Sequence, residues 1–189
     1  AVGIVDKLYY ELQSRYAIRA ERDVLGKADK LVFVSREDSK FSQTVFTQVG
    51  KCSHIELGTD ETVEYSPLDL GQALVFTGVM DYAPNEDAAI YFLREIYPMI
   101  KSRYPETKLY LVGRNPTSRL AEVAKTANDV VITGYVDSVY PYILGATVYV
   151  SPLRFGTGVK NKVLEAMKCC TPSVFSPVSM RELLCRLND

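Results

Sequence analysis

The sequence has no tryptophan and a single histidine, His54. Its four cysteines, Cys52, Cys169, Cys170 and Cys185, form no CxxC pair, and none stands at finger spacing from His54. A zinc ribbon or zinc finger is therefore excluded. All four cysteines read as reduced, small apolar fillers of a cytosolic protein. An excess of either charge is lacking as well: 22 Lys and Arg stand against 23 Asp and Glu, for a net charge of −1. With no block of like charge, the chain offers no broad electrostatic footprint for nucleic acid or an anionic membrane, so any phosphate recognition must be local. No apolar run approaches the ~18 residues of a membrane span, and no secretory leader pattern opens the chain. The first residue is Ala1 rather than Met, and RELLCRLND ends abruptly. Both ends are expected to be cut from something longer.

What is present is 47% hydrophobic residues over 189 positions, enough for one domain or one and a half. Residues 3–28 carry apolar positions at helical spacing, with Gly26 as the expected stop. LVFVS (31–35) reads as a strand, and Ser35 as the N-cap of a helix over REDSKFSQTVF. HIEL (54–57) reads as a further strand. Residues 58–72 are polar, contain a proline and show no period, as a linker does. From residue 73 short β-branched runs alternate with helical patterns: strands at 73–78, 108–113, 129–134, 147–151 and 172–176, and helices at 84–104, 118–127, 138–144, 159–169 and 179–187. Five βα units in succession predict an α/β fold, a Rossmann-like parallel sheet with helices on both faces. Ligands of such sheets bind at the carboxyl ends of the strands. Four of the five strands end in a loop suited to that: TGVMDYAPN, GRNP, GYVD and SPLRFGTG.

The richest of these is RFGTGVKNKVLEAM (154–167). Gly156 and Gly158 let the backbone take positive φ and approach a ligand closely. The helix start that follows offers free N–H groups to an anion, and Lys160, expected in the first turn, adds a formal charge. Lys162 and Glu165 are three apart and share one helix face. A helix start holding phosphate, with a carboxylate one to two turns further on for a sugar diol, describes a phosphorylated, sugar-bearing ligand. The same residues also fit a surface ion pair beside a tight turn. A dinucleotide fingerprint fits poorly, because Asn161 stands where the third glycine of GxGxxG belongs and no acidic residue follows about 20 residues on at a strand end; the Walker pattern GxxxxGK[ST] is absent.

FTGVMDYAPNEDAA, LVGRNP, TGYVD and PLRFGTGVKNKVLEAMKCCTPSV, in this order on successive strand ends, resemble the carboxyl-terminal half of a retaining GT-B glycosyltransferase of the group-1 (family 4) class. The resemblance covers roughly residues 30–189. It implies two Rossmann-like domains facing a cleft, one of them holding a sugar nucleotide. Residues 1–60 would be the tail of the acceptor-side domain, 61–72 the hinge, and 73–189 most of the donor domain, in an enzyme about twice this length. By the same resemblance, Glu165 is the second glutamate of the family's E-x7-E element and binds ribose hydroxyls. Lys160 and the amides after Gly156 meet the diphosphate, with Lys162 on the same face. Tyr135 and Val136 lie against the nucleobase, Gly78 lets the donor phosphates approach, and Arg114 sits on the same rim, where a solvated loop arginine is an equal reading.

Three positions depart from the family pattern. Thr157 stands where the first glutamate of E-x7-E belongs. Val79 and Asn85 occupy the positions usually basic in the loop after the first donor-domain strand. Lys160 and Lys162 are expected to compensate. The implied activity is metal-independent transfer of a sugar from a UDP- or GDP-sugar to a glycan or lipid-linked acceptor with retention, in polysaccharide assembly. No further cofactor and no nucleic acid partner is expected. The implied location is cytoplasmic, with peripheral membrane contact left to the missing domain. Catalytic residues on the acceptor side would lie there too, so this chain alone is expected to bind nucleotide and transfer nothing. A non-catalytic nucleotide-sugar-binding module, a GT-B epimerase and a structural partner subunit remain as alternatives. His54 reads as structural, and the 13 tyrosines as half-buried helix and strand faces.

Overall fold

A computed structural model of the chain describes residues 4–46, 51–58 and 65–187. They form two compact units, divided between Leu57 and Gly58. The first contains helix α1 (Ile4–Lys27), strand β1 (Leu31–Phe33), helix α2 (Arg36–Phe46) and strand β2 (Cys52–His54), with β1 and β2 paired in parallel. Ser35 caps α2 as expected: its Oγ accepts from the Asp38 N–H at 3.1 Å. Gly26 does not stop α1, because the Ala28 N–H still donates to the Val24 carbonyl at 2.9 Å. The second strand lies at 52–54 instead of 54–57. Its partner ends at Phe33, where the chain turns to cap α2; the Phe33 carbonyl takes the last ladder bond, from the Ile55 N–H at 2.9 Å, and the Ile55 side chain stays 66% exposed.

The second unit contains β3 (Ala73–Thr77), α3 (Ala83–Tyr91), α4 (Tyr97–Arg103), β4 (Lys108–Val112), α5 (Ser118–Lys125), β5 (Val130–Gly134), α6 (Tyr140–Gly145), β6 (Val148–Ser151), α7 (Asn161–Lys168), β7 (Ser173–Phe175) and α8 (Pro177–Leu187). All five strands are parallel, in the order β5-β4-β3-β6-β7. Side chains alternate across the sheet. Leu74, Phe76, Leu109, Leu111 and Val150 point into a core with Ala88, Phe92, Tyr97 and Leu120 of the helices on one face. Ala73, Val75, Val112 and Tyr149 meet Ile143 and Ala166 on the other. The alternation is the period-2 pattern of a strand buried on both sides.

The helix expected over 84–104 is broken by a π turn at Phe92–Ile96. Pro98 follows directly; it has no N–H to give and its ring crowds the carbonyl four residues back, so the helix widens just ahead of it. Residues 65–70 have no regular structure yet lie against this unit. The Leu68 N–H donates to the Pro141 carbonyl at 3.0 Å, Leu70 is buried, and Tyr65 stacks on Tyr140. Residues 61–64 of the expected hinge lie outside the described residues. The filler reading of the cysteines holds for buried Cys52 but not for Cys170, which is exposed at φ 52°; the side chain of Cys185 lies outside the description.

Candidate functional site

Strand order reverses between β3 and β6, and there the ladder is short. Only Leu74↔Val148 and Val75↔Tyr149 pair before the strands part. Beyond them a buried side-chain bond, Thr77 Oγ1 to Tyr149 Oη at 2.8 Å, is the last link. Past it opens a crevice of about 570 Å³, walled by the loops after β3, β4, β5 and β6 and by the start of α7. Crevices at such switch points are where open α/β sheets take ligands. A larger cavity of about 740 Å³ lies between α3, α4 and strands β3, β6 and β7. Its wall is apolar except for Arg154 and a few hydroxyl and amide groups, so it offers little to a phosphorylated ligand.

Gly78 ends β3 and forms the floor. A Cβ there would fall 2.7 Å from Asn85 Nδ2 and 2.9 Å from Lys162 Nζ, so no larger residue fits without displacing one of them. Lys162 Nζ donates to Asn85 Oδ1 at 2.6 Å and lies 4.4 Å from the centre of the Phe76 ring. Asn85 Nδ2 donates in turn to the Val79 carbonyl at 2.9 Å. The Lys162 ammonium thus pairs with a neutral acceptor from α3, not with Glu165. Burial, reinforced by the like charge of Lys160 and opposed by Glu165, brings its pKa down to about 7.

Glu165 is half-buried on the crevice wall, and its carboxylate makes no hydrogen bond or ion pair among the described residues. Burial raises its pKa, and Lys162 opposes that shift. Gly156 and Gly158 adopt φ of 128° and 73°, and Lys160 is extended at φ −98° and ψ 98°. The helix therefore begins at Asn161, two residues later than expected, and Lys160 is its N-cap position and not part of the first turn. The Lys160 ammonium folds back on the loop, donating to the Thr157 carbonyl at 2.8 Å and to the Gly158 carbonyl. Arg154 straps the loop to α3 through a bidentate pair with Asp87 and lies over the Tyr91 ring.

The family model for glycosyl transferases group 1 matches residues 71–186. The chain belongs to this family. An uncharacterized 44.6 kDa protein of the cps region of Klebsiella pneumoniae is 27% identical over 176 residues, 88% of this chain and 44% of that protein. The chain therefore spans less than half the length of that relative. Among solved structures, WaaG, a glycosyltransferase involved in lipopolysaccharide biosynthesis, superposes with a TM-score of 0.70 at 16% identity, over 100% of this chain and 58% of its own. TarM of S. aureus, in complex with fondaparinux, α-GlcNAc-glycerol and UDP, gives a TM-score of 0.68 at 14% identity, over 87% of this chain and 32% of its own. Anabaena HepE in complex with UDP and glucose gives 0.65 at 17% identity, over 88% and 50%. The parallel sheet flanked by helices matches the Rossmann-like halves of these GT-B structures.

Within this group-1 domain, nine of the ten residues singled out from the sequence line one crevice: Gly78, Arg114, Tyr135, Val136, Gly156, Thr157, Lys160, Lys162 and Glu165; Gly158 lies in the same loop. Arg114 is exposed on the rim, and its carbonyl accepts from the Met80 N–H at 2.9 Å. Tyr135 is 72% exposed, whereas Val136 packs under the rim against the second core. Thr157 is exposed, and its backbone serves Lys160. Sequence reasoning passed over Gly113. Its φ is 144°, and a Cβ would fall 1.9 Å from the Gly78 carbonyl oxygen, so only glycine lets the β3 and β4 loops touch. The motif LVGRNP contained that signal. It also treated Asn85 as a missing cation, while the fold makes it the partner of one.

Proposed function

We propose that residues 73–189 are the donor-binding domain of a retaining GT-B glycosyltransferase of family 4, and that residues 1–60 belong to the acceptor-side domain, with 61–72 as the hinge. The donor is a UDP- or GDP-sugar and the acceptor a glycan or lipid-linked saccharide in polysaccharide assembly. One observation carries this reading. A cation, Lys162, and an unpaired carboxylate, Glu165, face the same switch-point crevice one turn apart without neutralising each other. A diphosphate suits the first and a ribose diol the second. UDP in the TarM and HepE structures, and the cps-region setting of the Klebsiella relative, support the donor class and the pathway type.

When the bond between the anomeric carbon and the diphosphate oxygen breaks, negative charge grows on the departing phosphate. Lys162, the free N–H groups at the start of α7 and the amides around Gly156 and Gly158 stand ready to stabilise it. That is electrostatic stabilisation by groups already in place. Gly78 leaves room at the floor for the Asn85 carboxamide and the Lys162 ammonium, and Gly113 lets its loop close on Gly78. Ribose hydroxyls donate to Glu165, the exposed Tyr135 ring and the backbone at Val136 border the base, and Arg114 reaches the donor from the rim. Acceptor-positioning groups come from outside this chain, so it binds nucleotide and transfers no sugar by itself.

Thermal unfolding with millimolar UDP, GDP, ADP and CMP tests this. A ligand at 100 times its Kd stabilises by about 2.7 kcal/mol. The expected result is a clear rise in Tm with UDP or GDP, lost in Glu165→Ala and reduced in Lys160→Ala. No shift with any nucleotide would overturn donor binding by this chain, and sugar transfer by the purified chain would overturn the division of labour.

A further inference from the structure

We propose that Asn85 is the positioning residue of this site: its carboxamide holds the Lys162 ammonium at the carboxyl end of β3, so that a cation carried by α7 meets the donor diphosphate above Gly78. The inference rests on the nucleotide-binding reading above and goes beyond it in naming the residue that makes Lys162 effective.

Asn85 is only 6% exposed, and both ends of its carboxamide are used. Nδ2 is committed to the Val79 carbonyl at 2.9 Å, which fixes the orientation of the group and turns Oδ1 toward Lys162. Oδ1 then takes the ammonium at 2.6 Å, across 77 residues of sequence. Without that acceptor a lysine side chain on the second position of a helix would sample many rotamers. With it, the ammonium stands beside the position a Gly78 Cβ would occupy, 2.9 Å from it.

The neutrality of the acceptor matters chemically. The charged groups that act on Lys162 are Glu165 and Lys160; its partner from α3 is uncharged, and β3 presents only the Phe76 ring. An aspartate at position 85 would form an ion pair and cancel the cation that the diphosphate needs. A lysine there would repel Lys162. An asparagine orients the ammonium and leaves its charge available. The cation of this site is thus carried by α7 and supported from α3.

The test is calorimetric binding of UDP and of GDP to the wild-type chain, Asn85→Ala, Asn85→Asp, Lys162→Met and the double variant Asn85→Ala/Lys162→Met, with folding checked by circular dichroism. Asn85→Ala is expected to weaken the bound nucleotide about tenfold at pH 7, the scale of one charge-assisted hydrogen bond. In the Lys162→Met background the same change should add less than twofold, because its effect runs through the ammonium. Asn85→Asp should also weaken binding, and should move the loss of affinity on raising pH to higher pH, because a carboxylate retains the proton on Lys162. Equal weakening by Asn85→Ala with and without Lys162 would overturn the proposal and leave Asn85 a loop brace only. If Asn85→Ala does not fold, Asn85→Asp decides: unchanged affinity and an unshifted pH profile would overturn it. If the wild-type chain binds neither nucleotide, the donor-binding reading falls first and the positioning role falls with it.

Discussion

The two units of this chain bury their apolar residues to very different degrees. In the first, α1 runs for 24 residues, yet Leu8, Tyr9, Tyr10, Leu12, Tyr16 and Val24 are all more than half exposed. Its core is Phe46 and Cys52, edged by Ile18, Leu31, Phe33 and Val45. In the second, every residue of β3 is buried, and both sheet faces carry continuous apolar cores. Secondary structure of the same quality therefore rests on unlike foundations. Helices draw most of their stability from packing one face, and among the described residues of the first unit few apolar side chains pack against α1. The candidate site belongs to the unit with the two continuous apolar cores.

The largest effect that would sharpen this contrast comes from paired truncations. Leu111→Ala, at a fully buried position on β4, is expected to cost about 3 kcal/mol and roughly 10 °C in Tm. Leu12→Ala, 57% exposed on α1, should stay within about 0.5 kcal/mol. Equal losses in differential scanning calorimetry would break the comparison.

Tyr97 gives a second test. Its buried hydroxyl meets the carbonyls of Thr107, Asn128 and Asp129 at 2.9, 3.1 and 3.2 Å, tying α4 to the edges of β4 and β5. Tyr97→Phe should cost about 1–2 kcal/mol. Burial, and then the charge of Asp129, push this phenol up to about 12, and burial also raises Tyr149. A raised phenol pKa means that the folded state keeps a proton the unfolded state loses. The tyrosine contribution is therefore complete below pH 10 and is lost as pH rises toward 12. Ultraviolet titration of tyrosine against Tm should show this alkaline loss, with a shallower slope in Tyr97→Phe.

The smallest expected effect has the opposite sign. The Lys162 ammonium is costly to hold in the crevice, and its pKa falls to about 7. Between pH 7 and the ordinary lysine value the unfolded state binds the extra proton, so this group makes stability rise with pH across that window. Lys162→Met should raise the Tm of the ligand-free chain by a few degrees near pH 7 while abolishing the nucleotide-induced shift, as functional sites commonly trade stability for use. A fall in Tm of the free chain would show that Lys162 supports the fold itself.

Much of this was legible from residue order. Ser35 before REDSKFSQTVF located α2 at both ends, because a capping hydroxyl and an amphipathic period are local signals. Gly156 and Gly158 announced a loop of positive φ ahead of α7. Other features were not legible. The π turn at Phe92–Ile96 depends on how a helix accommodates Pro98 while keeping Phe92 and Tyr97 in the core. The position of β2 depends on where its partner stops. Asn85 looked like a lost cation, since its chemistry is defined by a residue 77 positions away.

Alternating apolar strands and amphipathic helices, read along the chain, determined an α/β unit whose chemistry lies at the carboxyl ends of its strands, because burial of one face or both imposes a period that each segment carries alone. Only the tertiary structure decided that β6 lies beside β3, that Gly113 presses on Gly78, and that Lys162 stands on Asn85 while Glu165 stays unpaired. Those facts depend on the order in which strands join the sheet, and on contacts a few ångströms long between residues that no local period relates.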